Sequence, residues 1–180
     1  MWIAIAVVGA AALAGVWLFN RLVQDRNQVR TGWSDIDVQL QRRHDLVPML
    51  VEAVRGYAGH ESEVLQRVVE ERNASRNASR LPDKAAAEQA LEADLRQLIA
   101  LAEAYPELKA SANFAQLSAQ LVEVEDHLQY ARRFYNGAVR QFNDRQQQFP
   151  HLLVARPLGF LPTEFFEAED AARTAPAVRL

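Results

Sequence analysis

Cysteine is absent from the 180 residues. That excludes disulfides, thiolate-bound metals, a cysteine nucleophile and an acylated lipoprotein cysteine. Glycine and proline are scarce, seven of each, which argues for helix and against disorder. Neither charge sign dominates: the net charge is −3 with acids and bases interspersed, so no nucleic-acid footprint appears. His44, His60, His127 and His151 remain as soft ligands, yet none sits in His-Glu-x-x-His and none has a Glu three residues before it. The two helical metal signatures are therefore missing, and no metal or other cofactor is expected. Also missing are a glycine-rich phosphate loop, a nucleophile elbow and a kinase motif. What is present is apolar: 49% of the chain, enough for one domain with a real core.

Trp2 to Phe19 contains no charged residue, close to the length a helix needs to cross the hydrocarbon core. Trp2 and Trp17 mark its two ends, where amphipathic rings favour the interface. Arg21, Arg26 and Arg30 follow at once, which places that side in the cytoplasm and the amino terminus outside. A cleaved signal peptide, with Ala12-Leu13-Ala14 before Gly15, is the rival reading; against it, no Lys or Arg precedes the run and the helical pattern continues. Ala10/Ala14 and Ala11/Gly15 form a weak small-xxx-small pattern that leaves homo-oligomerisation open.

Past the anchor, steps of three and four pick out Phe19, Leu22, Arg26, Val29, Trp33, Ile36, Leu40, Arg43, Val47, Leu50, Val54 and Tyr57. A seam in phase across Thr31-Gly32 predicts one helix leaving the membrane and entering the domain. The alternative is a stop at Gly32 and a new cap at Ser34 with Asp37. Pro48 removes a backbone hydrogen bond and crowds the carbonyl of His44, so a bend is expected there. The fold expected is all-α: an amino-terminal transmembrane helix (1–19) continuing into an antiparallel four-helix bundle (20–148) with two long and two short helices, about 20–57, 60–79, 84–105 and 112–148. An apolar tail, 149–167, has the area to pack on the membrane-near half or partly on the lipid surface, and 168–180 reads as a flexible end. The fourth helix carries a heptad stripe of Phe114, Leu117, Leu121, Val124, Leu128, Ala131, Tyr135, Ala138 and Phe142. The Arg72–Arg80 repeat reads as a solvated helix face and last turn, and Leu81-Pro82-Asp83 as a turn.

Two residues stand out as structural devices, Arg43 in the seam and Pro48 in mid-helix. With the long helices antiparallel, Arg43 falls opposite Glu125 or Asp126, and such a pair would set register. Arg42-Arg43-His44-Asp45 reads otherwise as a polar helix face with a weak pair. Asp35 and Asp37, two apart, face different directions and make a poor acid–base pair.

The stretch WSDIDVQLQRRHDLVPMLVEAVRGYAGHE from Trp33, YPELKASANFAQLSAQL from Tyr105, YNGAVRQFN from Tyr135, and the closing Leu158-Gly159-Phe160 and Phe165-Phe166-Glu167 resemble the LemA family of bacterial membrane proteins. One departure is Met49 after Pro48, where that family commonly carries Asn. The resemblance implies a single transmembrane helix in the bacterial inner membrane, an outside amino terminus and a helical cytoplasmic domain. It brings no catalytic residues, and a magnetosome-membrane relative points to membrane organisation only by analogy of fold. The function expected is a non-enzymatic, membrane-anchored scaffold or interaction module, with the bilayer and unidentified membrane or cytoplasmic proteins as partners. The alternative is a hydrolytic or metal-dependent accessory enzyme using the Arg42–Asp45 region with His127. Convergence of His44, His127 and acids in one pocket would separate the two.

Overall fold

The computed structural model describes residues 1–57 and 62–166. Among them the secondary structure is entirely helical: α1 Trp2–Arg55, α2 Ser62–Asn77, α3 Leu81–Glu103, α4 Pro106–Lys109, α5 Ala112–Gln147 and α6 Leu152–Ala155. The expected start of the second helix at residue 60, Glu167 and the expected flexible end, 168–180, lie outside the described residues.

α1 runs without interruption through Thr31-Gly32 and through Pro48. Gly32 is a close-approach residue rather than a helix stop. A Cβ there would lie 3.0 Å from the Tyr135 Cα and 3.0 Å from a Phe134 ring carbon on α5. Gly32→Val therefore has to push the two backbones apart and should cost about 1–3 kcal/mol in a melting experiment, with Gly32→Ala smaller. A Val variant that melts like the parent would remove the close-approach role.

Several sequence expectations shift by a few residues. α1 ends at Arg55, so Tyr57, expected in the buried seam, lies in the turn at 45% exposure; Gly56 takes the chain out of the helix first. Leu81-Pro82-Asp83 is the first turn of α3 rather than a preceding turn. Proline fits there because the N–H it lacks would have no helical partner. The corner after Pro106 holds one helical turn, α4, which buries Leu108. On α5 the buried residue between Tyr135 and Phe142 is Val139, not Ala138. Straight helix drifts against a strict heptad, and the step of four lands one residue later.

The chain forms two compact units. The first comprises residues 1–36 and 130–165. Its apolar amino-terminal run has a mean hydropathy of 2.2, and only 6% of that window is buried. α1 is, among the described residues, the one helix long and apolar enough to cross a membrane. A core helix would be covered on all sides, and this run is not covered by the rest of the chain. Beyond the run, Phe160 meets Phe19 at 5.9 Å and Phe142 at 6.2 Å between ring centroids, and the Arg26 guanidinium lies 5.1 Å over the Phe160 ring. Asp25, buried on α1, accepts from Arg145 Nε and, at 2.8 Å, from Gln141 Nε2. Tyr135 Oη donates to the Glu164 carbonyl at 3.0 Å, and Asn143 exchanges two hydrogen bonds of 2.9 Å with Thr163. These contacts tie residues 149–165 to α1 and α5 within the unit.

The second unit comprises, among the described residues, 37–129 and Phe166. Its core draws Val47, Leu50 and Val54 from α1, Leu65 and Val68 from α2, Leu91, Leu95 and Leu98 from α3, Leu108 from α4, and Leu117, Leu121 and Val124 from α5. The spacing of three and four in each set is what puts them on one face per helix.

Candidate functional site: a buried ionic cluster and an acidic-rimmed groove

Arg43 occupies an apolar position of the α1 seam and is fully buried. A guanidinium in that position must be matched by acceptors, because an unpaired buried charge is costly. Its Nη1 donates to Glu125 Oε1 on α5 at 2.6 Å. Its Nη2 donates to Glu88 Oε2 on α3 and, at 3.4 Å, to the Glu88 carbonyl oxygen. Glu88 is itself fully buried. Its second oxygen accepts from Ser75 Oγ on α2 and lies 2.7 Å from His44 Nε2. Burial alone would raise the Glu88 carboxyl; the His44 hydrogen bond, the Arg43 charge and the Ser75 hydroxyl outweigh it and hold it at about 2. An ionised carboxylate can only accept, so the hydrogen in that contact belongs to His44 Nε2. Burial opposes the charge on Arg43, but Glu125 and Glu88 more than offset it and keep the guanidinium charged.

Pro48 explains a further member of the cluster. Lacking an N–H, it leaves the carbonyl of His44 without its helical donor. Arg72 Nε on α2 supplies one, at 2.7 Å. Arg72→Met should cost about 1–2 kcal/mol by leaving that carbonyl unpaired. In a Pro48→Ala background, which restores the helical donor, the same change should cost measurably less. Equal costs in both backgrounds, read by denaturant melts, would separate Arg72 from the proline.

The cluster differs from the sequence expectation in membership. It includes Glu88 and Ser75, and both carry a signal in the sequence. Glu88 lies three residues before Leu91, in phase with Leu95, Leu98 and Ala102. Ser75 lies in phase with Leu65 and Val68, so the repeat read as a solvated face turns one residue inward and sends Arg72 to the His44 carbonyl. The Arg42–Asp45 face is likewise divided. Arg42 and Asp45 are exposed, with Asp45 accepting from Gln41 at 2.8 Å, whereas Arg43 and His44 are buried. Successive helical positions turn by about 100°, so two neighbours can share the inward side while their flanks face out.

A groove of about 380 Å³ lies between α3 and α5 in the same unit. Leu95, Ile99, Leu121 and Val122 are among its apolar lining, and Glu103, Asp126 and the Arg43 partner Glu125 among its acidic lining. Glu92 and Arg96, also in the lining, pair with each other. His127 is exposed on α5 and belongs neither to this lining nor to the buried cluster, so the structure does not bring it to the Arg42–Asp45 region. No three His, Asp or Glu side chains among the described residues are placed to hold a metal ion. Of the remaining structural residues, Pro48 is exposed, Trp33 stacks edge-on with Tyr135 at 5.9 Å, and Trp2, Trp17 and Phe19 are exposed along the apolar run.

Comparison with known proteins gives the family. The model of the LemA family matches residues 32–180. Protein LemA of Metamycoplasma hominis is 26% identical over 157 residues, covering 86% of this chain and 71% of that protein. Magnetosome protein MamQ of Magnetospirillum gryphiswaldense is 23% identical over 202 residues, covering 97% and 74%. Magnetosome protein MamQ 1 of Paramagnetospirillum magneticum is 24% identical over 198 residues, covering 94% and 73%. With a family match extending from α1 through every helix that contributes to the buried cluster, the chain belongs to the LemA family.

Proposed function

We propose that the protein is a membrane-anchored, non-enzymatic scaffold whose helical domain docks a partner protein. The observation that carries this reading is the fate of the charged residues. Arg43, His44 and Glu88, the groups most suggestive of chemistry, are buried and committed to one another. Their geometry supports an internal clamp that joins helices. The open surface beside them is the α3–α5 groove, lined by apolar and acidic side chains, a composition suited to a basic amphipathic helix.

The architecture proposed is an antiparallel helical bundle. Support comes from each unit separately: Asp25 with Arg145 and Trp33 with Tyr135 in one, Arg43 with Glu125 in the other. In the first, α5 numbering falls as α1 numbering rises, and the second pairs the same two helices. The anchor proposed is the exposed run of α1 in the inner membrane, with the amino terminus outside and the domain in the cytoplasm. Arg21, Arg26 and Arg30 just after the run support that side.

The experiment is site-specific photo-crosslinking in cells from Val122, in the groove, and from Glu70 on α2 as control. A discrete adduct from Val122 alone, lost on Glu103→Lys with Asp126→Lys, is the expected result. Equal yields from both positions, or adducts indifferent to charge reversal, would sink the docking reading.

A further inference from the structure

We infer that residues 149–161 form a second membrane contact, entering the interfacial layer of the bilayer that holds α1. The inference rests on the membrane-anchored reading and adds to it a lipid-binding surface outside the spanning helix.

The position of the segment is fixed by rings. His151 lies 6.1 Å from Trp17, two residues before the end of the uncharged run, and Phe160 lies 5.9 Å from Phe19, at its last residue. The segment is therefore held at the level where the apolar helix emerges. Around those two anchoring residues the apolar side chains point away from the protein. Phe149 is 80% exposed, Leu161 76%, Leu153 63% and Leu158 57%. Scattered exposed leucines need no explanation, but four large exposed apolar groups in one short segment anchored beside the apolar helix do. An aromatic and three leucines at that depth match the composition of interfacial anchors.

A further observation, the charge around the segment, points to lipid as the occupant. The unit containing the segment has eight arginines against four acids, a net charge of +4 in a chain of net −3. Arg156, within the segment, is exposed, and Arg21 lies one turn beyond Trp17. Cationic side chains flanking an apolar patch suit an anionic headgroup layer.

The test uses the full-length protein in vesicles of phosphatidylcholine and phosphatidylglycerol, with lipids brominated on the upper acyl chain. In one protein Trp17 is retained and Trp2 and Trp33 are changed to Phe. In others all three tryptophans are changed to Phe and a reporter is introduced by Phe149→Trp, by Leu153→Trp, or, as an aqueous control, by Val122→Trp. Brominated lipid should cut the emission of the reporters at 149 and 153 about as much as that of Trp17, at least twofold, and leave the control unchanged. Aqueous acrylamide should do the reverse. If Trp17 is quenched by bromine while positions 149 and 153 respond only to acrylamide, the second contact is wrong and the anchor stands. If Trp17 itself escapes the bromine, the anchored reading fails and takes this inference with it.

Discussion

Glu88→Ala should destabilise the protein by about 3–5 kcal/mol, the usual cost of removing one partner from a buried ion pair. For a chain of this length that corresponds to a fall in Tm of roughly 10 °C. The change leaves Arg43 with Glu125 alone and removes the acceptor of both Ser75 and His44. Glu88→Gln keeps the volume but turns an NH2 group toward a cluster already full of donors, so it should be only partly milder. Arg43→Met combined with Glu88→Leu should recover much of the loss, because an apolar pair of similar volume needs no matching charge. Acid titration gives an independent readout. The Glu88 carboxyl is held at about 2 in the folded protein, below the ordinary 4.5. Between these values the unfolded chain binds the extra proton, so stability falls as pH falls. The contribution, about 3 kcal/mol, is complete above the ordinary carboxylate range and gone once pH drops below the folded value. Glu88→Gln should lack that part of the acid limb. A Glu88→Ala protein within about 1 kcal/mol of the parent would mean the cluster contributes little.

Periodicity made much of this fold legible. The α1 seam is a set of buried residues at three–four spacing, Leu22, Val29, Ile36, Leu40, Val47, Leu50 and Val54, because burial on one face is what such spacing encodes. Arg43 could be singled out because it broke the pattern. Its partner Glu88 broke the pattern of α3 in the same way, but it sits at the head of the stripe after three alanines, where an acid passes for a helix amino-terminal residue. Ser75 is small and common on surfaces, so no composition rule marks it as buried. The Arg72 contact with the His44 carbonyl needed the pairing of two helices, which no single stripe specifies. Pro48 did announce the vacant donor; which side chain would fill it depended on tertiary packing. Gly32 is the reverse case. Local rules allow a stop there as the alternative to a continuous helix, and only the proximity of α5 shows why a side chain is excluded.

Phe142→Ala tests the other unit with a comparable expected effect. Phe142 is 2% exposed, and its ring lies edge-on to Phe160, which in turn meets Phe19. Truncation to Ala should cost about 3–5 kcal/mol, because neighbours held by a long helix relax only partly into the cavity. The loss should not be uniform. Phe160 belongs to the segment that reaches the α1 surface beside Phe19, so its amide and those of Thr163 and Glu164 should lose hydrogen-exchange protection first. The Thr163 amide is a specific marker, since it donates to Asn143 Oδ1 at 2.9 Å one residue after Phe142. Phe160→Ala should give the same exchange pattern at a smaller cost in stability, and the double variant should fall short of additivity by about 0.5–1.5 kcal/mol if the rings act as a pair. Strict additivity would mean that each ring fills its own space and that the segment is held by its backbone contacts to Tyr135 and Asn143 instead. Amides around Val51 and Leu95, in the second unit, should exchange as in the parent. If they open together with Thr163, the two units unfold as one, and the loss at Phe142 is a property of the whole domain.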